Sequence, residues 1–418
     1  DREPDEPAAG ENLVDWLNLT GFWEVRGGVR TQHDRHQKQA SLGETRLQLD
    51  ATPVWEELVF ELTADFVYDA VTDQHRVDCQ RGQGWVDFRR ANVAFSPLEF
   101  MDVKAGRQVL TWGTGDLIFL NDLFPKDWRS FFIGRDVEYL KAPSDAVRIG
   151  LFGDLANLDF VYVPLFDPDR FLAGRRISFW NSQLGRRSGR DAVIDPAEPK
   201  DWFDDAEYHG RLSRHLGSYE LAGYGYWGYW KSPAGQDPVS GKATFPRLSV
   251  YGGSVRGPLA EGIANAEFAY YDSRQDRDGD DPFVRNSQMR YLFGYEQDLP
   301  DVAEDLTVGG QYYIEQMIDH GAYRRSLPPG AREADACRHV VTLRVTKLLA
   351  NQNLELSLFG YYSPSDEDAY LRPRVSYKID DHWTVAFGGN VFFGADSHTF
   401  FGQLDSNTNV YASLRYGF

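Results

Sequence analysis

Methionine and cysteine are nearly absent: three Met and two Cys occur in 418 residues. No Cys-x-x-Cys spacing exists, which argues against a zinc ribbon or a dithiol redox site. Long apolar runs are missing too, and no stretch approaches the ~20 apolar residues that a membrane-crossing helix needs. Positive charge is in deficit, with 44 Lys and Arg against 63 Asp and Glu and a formal net charge of −19. So acidic a chain repels phosphate backbones, and no nucleic-acid partner is expected. The nine His fall in no GxSxG or HExxH frame, and no glycine-rich phosphate cradle occurs. Neither enzymatic activity nor a firmly held cofactor is expected.

Aromatic side chains are plentiful: 27 Phe, 22 Tyr and 11 Trp, beside 39 Gly. They fall on an alternating pattern. In the last ten residues Phe418, Tyr416, Leu414, Ala412 and Val410 alternate with Gly417, Arg415, Ser413, Tyr411 and Asn409. A period of two makes a strand with one apolar and one polar face. The pattern recurs clearly at 17–30, 58–69, 158–166, 218–230, 264–273, 287–297, 306–316, 354–362 and 383–394. Weaker versions lie at 45–53, 85–96, 102–112, 145–153, 207–216, 246–257, 338–349 and 368–379, which brings the total to about 18.

Connections alternate between short (97–100, 153–157, 298–305, 349–353, 379–382) and long (31–44, 70–84, 113–144, 167–206, 231–246, 317–337, 395–406). This predicts an all-β fold: a transmembrane, antiparallel, up-and-down β-barrel with long extracellular loops and short periplasmic turns. A soluble stack of sheets explains neither the alternating loop lengths nor the closing Phe418. The reading is a periplasmic tail over 1–16, with a short helix around ENLVDWL, then one barrel over 17–418. The opening DREPDEPAAGEN reads as the start of a processed chain.

The closing NVYASLRYGF resembles the C-terminal signal of bacterial outer-membrane barrels. That resemblance implies the outer membrane of a Gram-negative bacterium, with its lipid and lipopolysaccharide as partners.

The alternation can be phased. With Val410, Leu371, Val375, Tyr377, Leu343 and Val345 toward lipid, charged neighbours face the lumen. A charge at mid-bilayer costs roughly 2–4 kcal/mol, so the inward phase is the cheaper one. Arg290, Arg344, Arg372, Arg374, Lys378 and Arg415 of the late strands, with Arg26, Arg30 and Arg46 of the first two, then form one pore-lining basic arc. Arg148 also turns inward, as do the acids Glu24, Asp50, Glu61, Asp65, Glu267, Glu296 and Glu315. Basic walls ease the passage of anions; pairing across strands in a wet interior is the plainer reading.

The connection 113–144 is too apolar to hang in water, with Leu117, Ile118, Phe119, Leu120, Leu123, Phe124, Trp128, Phe131 and Phe132. Folded into the barrel it buries these residues and constricts the lumen, with Asp116, Asp122, Lys126, Asp127, Arg129, Arg135 and Asp136 around the eyelet. A cap packed on neighbouring loops is the alternative. Gly106, Arg107, Gln108, Trp112, Gly113, Asp116, Asp122 and Pro125 resemble a stretch found in substrate-selective proteobacterial porins, including alginate-export-like porins. The resemblance implies passive, selective passage and leaves the substrate open.

Asp276, Asp278 and Asp280 around Gly279 form a calcium candidate that lacks the closing Glu of a full calcium loop. Cys79 and Cys337 both fall in loops on the same face, so a disulfide and two free thiols both stay open. Arg175, Arg176, Arg186, Arg187 and Arg190 make 171–190 the most basic stretch, suited to gathering anions or meeting lipopolysaccharide phosphate. The expected function is passive diffusion of small hydrophilic, anionic or hydroxyl-rich solutes. The alternative is a sheath or scaffold for a partner protein, such as an extracellular electron-transfer protein or a lipoprotein. Monomer and homo-oligomer both stay open.

Overall fold

The computed structural model describes residues 16–72 and 76–418. Eighteen long strands run in chain order. The first six are β1 (Thr20–Arg30), β2 (Ala40–Ala51), β3 (Leu58–Asp69), β4 (Val86–Leu98), β5 (Met101–Val109) and β6 (Pro143–Leu151). The middle six are β7 (Asn157–Val163), β8 (Glu207–Leu216), β9 (Tyr219–Tyr229), β10 (Arg247–Leu259), β11 (Gly262–Ser273) and β12 (Gln288–Asp298). The last six are β13 (Leu306–Met317), β14 (Cys337–Leu349), β15 (Leu354–Ser363), β16 (Asp368–Lys378), β17 (Trp383–Gly394) and β18 (Asn409–Gly417). Each pairs antiparallel with its chain neighbours, and β1 pairs with β18 from Phe22–Gly417 to Arg30–Asn409, closing the barrel. Gly21 and Phe418 exchange both backbone hydrogen bonds at 3.0 Å, so the last residue is zipped into the seam.

The faces are those of a protein turned inside out. Val25, Phe66, Phe160, Trp227, Phe268, Phe293, Phe387 and Val410 are all exposed on the outer face. A continuous apolar belt of that extent is untenable in water and calls for hydrocarbon. The packed core lies in the lumen. There Leu248, Leu292 and Tyr370 from the wall, each 0 % exposed, meet inward-folded loop residues such as Leu120 and Phe131.

Several boundaries differ from the sequence reading. Strand β5 stops at Val109 rather than near Trp112, because the chain leaves the wall early to enter the lumen. The third long connection, L3, therefore spans 110–142. The eighth loop-side connection is only 364–367, so the long-short alternation is incomplete. A β-bulge between Thr63 and Ala64 sets two β4 residues against one of β3. The bulge places Arg90 opposite the inward Thr63 and leaves Arg89 reaching the L3 carbonyls of Glu138 and Lys141 at 3.1 and 2.9 Å. Strict period-two phasing cannot find such a pair. Most of the helix expected near ENLVDWL, and nearly all of the tail, lie outside the described residues.

The two cysteines are free. Cys79 sits in L2 (70–85), where its carbonyl accepts from Arg107 and Arg170. Cys337 opens β14, paired in register with Gln316 of β13. Of the two readings left open by the sequence, the structure has the free thiols: L2 lies between β3 and β4, and β14 stands far from both around the wall.

Candidate functional site

L3 leaves β5 after Val109, three residues past Gly106. That glycine has φ +117°, and a Cβ there would lie 2.4 Å from the Ala91 carbonyl, so the Gly-Arg-Gln stretch needs its glycine. The outgoing limb crosses to the far wall. Glu267 of β11 receives it: one carboxylate oxygen accepts from the Thr114 amide, the Thr114 hydroxyl at 2.9 Å and the Gly115 amide at 2.9 Å. The other accepts from the Asn121 amide group at 2.8 Å. Gln311 of β13 exchanges two 2.7 Å bonds with the Asp116 backbone. Arg344 of β14 grips the Asp116 carboxylate at 2.8 Å. Tyr361 and Tyr271 donate to the carbonyls of Leu117 and Leu120 at 2.8 and 2.5 Å. Hydrogen bonds to charged groups contribute about 1.5–3 kcal/mol each, so this limb is fixed rather than draped.

The loop then doubles back. Phe124 stacks on His209 of β8 at 4.3 Å between centroids. A short helix, α1 (Trp128–Ile133), is capped at its start by Asp127 on the Ser130 amide and at its end by Gly134 in the left-handed region. It buries Phe131 and Phe132 against Tyr370 and Phe392 of β16 and β17. The returning limb is electrostatic. Arg135 forks onto Glu44 of β2 at 2.7 and 3.2 Å. Asp136 lies 2.5 Å from Arg415, 3.3 Å from Arg26 and 3.5 Å from Arg374. Tyr139 packs between the guanidiniums of Arg46 and Arg89, at 4.2 and 4.7 Å. Burial pushes the Asp136 carboxyl upward, but Arg26, Arg415 and Arg374 outweigh it and hold the group down at about 2.

The expected basic arc is inward-facing, but it is not a free cationic wall. Arg26 bonds Glu24, Arg46 pairs with Asp65 and Glu44, and Arg290 lies 3.4 Å from Glu315. Arg344, Arg374 and Arg415 are taken by L3 acids. Arg30 donates to the carbonyls of Ala40 in β2 and Arg176 in L4, and Arg372 to that of Arg135 in L3. Lys378 is exposed at the short-turn end of β16. The loop residues divide in the same way. Asp116, Arg135 and Asp136 bind the wall, whereas Asp122, Lys126 and Asp127 do not ring an eyelet. They are 5 %, 3 % and 2 % exposed. Asp122 and Lys126 pair with each other at 2.8 Å, and Asp127 caps α1 and faces Arg129 and Arg170 at 3.5 Å. A charge buried by the loop's own folding must find a partner there.

Above L3, on the long-loop side, a cavity of about 1770 Å³ opens. Its floor is Leu117, Phe119, Trp128 and Phe132, and its rim comes from L4 (164–206), L5 (230–246), L7 (318–336) and L9 (395–408). Seven Lys and Arg face nine Asp and Glu around it. A second cavity of about 600 Å³ lies between L2, L3 and L4. The calcium candidate is not assembled. Asp276 spends its carboxylate on the amides of Asp280 and Asp281, at 3.1 and 3.3 Å, which closes the loop. Among the described residues no group of three His, Cys, Asp or Glu is placed to hold a metal. The functional residue whose role sequence reasoning missed is Glu267. It reads as one inward acid among several, and only the contacts mark it as the socket for L3.

A closed barrel with charged side chains lining its interior, an apolar outer belt and a loop locked across its lumen is a transmembrane barrel with an internal constriction. Solved structures share this fold along nearly their whole length. OccK3 of Pseudomonas aeruginosa superposes with a TM-score of 0.53 at 10% identity, covering 98% of this chain and 99% of the other. OccAB4 of Acinetobacter baumannii gives 0.55 at 9% identity, covering 96% and 97%. A BenF-like porin of Pseudomonas fluorescens gives 0.55 at 11% identity, covering 96% and 97%. No family model matches the chain, and neither does any curated protein.

Proposed function

We propose that this chain is a porin of a Gram-negative outer membrane, passing small hydrophilic solutes by diffusion. The supporting observation is L3 itself, anchored to strands around the wall and leaving a roomy vestibule on one side. A fold-level likeness to a BenF-like porin points the same way. The nearly balanced charges favour hydroxyl-rich solutes of low net charge over strongly anionic ones. Their apolar ring faces suit the Trp128 and Phe119 floor, and their hydroxyls suit the charged rim. The sheath reading loses ground, because L3 occupies the space that a folded partner needs.

Planar-bilayer recording tests the proposal. The full chain should give small, discrete steps with a cation-to-anion permeability ratio near one. Removal of 115–140 should raise conductance several-fold. Silence from both proteins, each shown to be folded and inserted, refutes the porin reading.

A further inference from the structure

The outer face carries a feature that the diffusion pathway does not use. Register fixes a row of side chains around part of the barrel: Tyr162 opposite Tyr208, Tyr208 opposite Trp227, Trp227 opposite Ser249, and Ser249 opposite Asp272. Tyr208 and Trp227 are 42 % and 47 % exposed, and Tyr251, one step toward the turns, is 52 % exposed. The row is therefore outward, at the loop-side end of the apolar belt. Aromatic side chains of this kind mark the membrane–water interface.

One step further toward the loops, the outer face turns basic. Arg247 lies opposite Tyr229, on the same outward parity as Trp227, and is exposed. The Arg274 amide bonds the Arg247 carbonyl at 3.0 Å. Its guanidinium lies over Trp227, 3.7 Å from the ring centroid. It donates to the Gly228 carbonyl at 2.7 Å, while its Nε has no partner. Arg277 stands beside it, paired to Asp272 at 3.0 Å with its side chain 64 % exposed. Two acids stand nearby: Asp272 holds Arg277, and Asp205 accepts from the Tyr229 hydroxyl at 2.6 Å and keeps a charge that Arg247 stabilises. Among the described residues Arg247 has no ion pair. Burial, and after it the neighbouring Arg247 charge, lowers the proton affinity of Arg274. The patch thus sets three guanidiniums against two carboxylates at the depth where lipid headgroups lie, a net positive charge.

We infer that Arg247, Arg274 and Arg277 form an outer-rim site for a phosphate monoester of the phosphorylated glycolipid of the outer leaflet. The ring of Trp227 and Tyr251 would lie beside its upper acyl segments. The inference rests on the outer-membrane reading for the identity of the lipid. Its physics is that of guanidiniums meeting phosphate at an interface of reduced dielectric.

The test uses purified full-length barrel in detergent, with lipid bound per barrel counted by native mass spectrometry. The probes are bisphosphorylated lipid A, the same lipid with both phosphates removed, and phosphatidylglycerol. Wild type should retain the bisphosphorylated form at least five-fold more than either other lipid. Each headgroup-level cation contributes roughly 1 kcal/mol, about five-fold in binding. Arg247→Gln with Arg277→Gln should therefore lose roughly 25-fold while leaving conductance unchanged, since neither side chain faces the lumen. Equal retention of the three lipids by wild type, or wild-type retention by the double variant, overturns the site. Conductance of the same preparations separates the two readings. A conducting barrel indifferent to phosphate sinks the rim site alone, and a silent barrel that still selects phosphate sinks the porin reading alone.

Discussion

Asp136→Asn is the most informative single change in the lumen. The side chain keeps its shape and loses one negative charge at the meeting point of Arg26, Arg374 and Arg415. An ordinary aspartate near 3.8 held down at about 2 corresponds to about 2 kcal/mol favouring the charged form. That is a factor of about 30 in the docking equilibrium of the returning limb of L3. The folded value lies below the unfolded one, so the stabilisation is present above pH 3.8 and is lost as pH falls toward 2. In Asp136→Asn it is absent at neutral pH. Two consequences follow for a channel. Three guanidiniums lose their shared counter-charge, which moves ion selectivity toward anions. The limb also loosens, which raises open-channel noise. The assay is the reversal potential in a tenfold KCl gradient, recorded with single-channel traces at pH 7. A reversal potential and noise spectrum identical to wild type would refute the idea that L3 is held by charge.

Other changes probe other links. Glu267→Ala removes the acceptor for four L3 donors and should release the outgoing limb, with increased proteolytic nicking between 113 and 121. Gly134→Ala forces a Cβ to within 2.3 Å of the Tyr411 ring at φ +91°; it should cost at least about 1–2 kcal/mol, seen as a lower unfolding temperature in micelles. Asp167, in L4, is raised to about 7 by burial and by Glu207, against the pull of Lys231. A raised acid keeps its proton when folded and loses it when unfolded, so stability should fall between pH 3.8 and 7; Asp167→Asn should flatten that slope in thermal melts. Denatured without reductant, the chain should take up two maleimides, one at each free cysteine.

Much of the barrel is legible in the sequence because one side of each strand meets a medium that tolerates no charge. That demand repeats every two residues and leaves a local pattern. Val410 and Leu414 are exposed on the outer face while Tyr411 and Ser413 are buried within, as the alternation implies. The inward course of L3 is legible for the same reason, since Phe131 and Phe132 have no other dry place to go. What the pattern cannot carry is pairing. Asp116 meets Arg344 across 228 positions and Asp136 meets Arg415 across 279, and no local period encodes such a distance. A row of inward arginines therefore looks like a cationic wall until the loop arrives to neutralise it. The bulge at Arg89 is illegible for a related reason, because one extra residue breaks the phase that makes the rest readable. In a barrel, then, sequence reports which side chains reach the lumen, while the net field they leave there depends on the loop. Any selectivity argued from strand charges alone overstates the positive potential by about as many charges as L3 and the acidic wall residues cancel. Glu24, Glu44, Asp65, Asp116, Asp136 and Glu315 together cancel most of the arc.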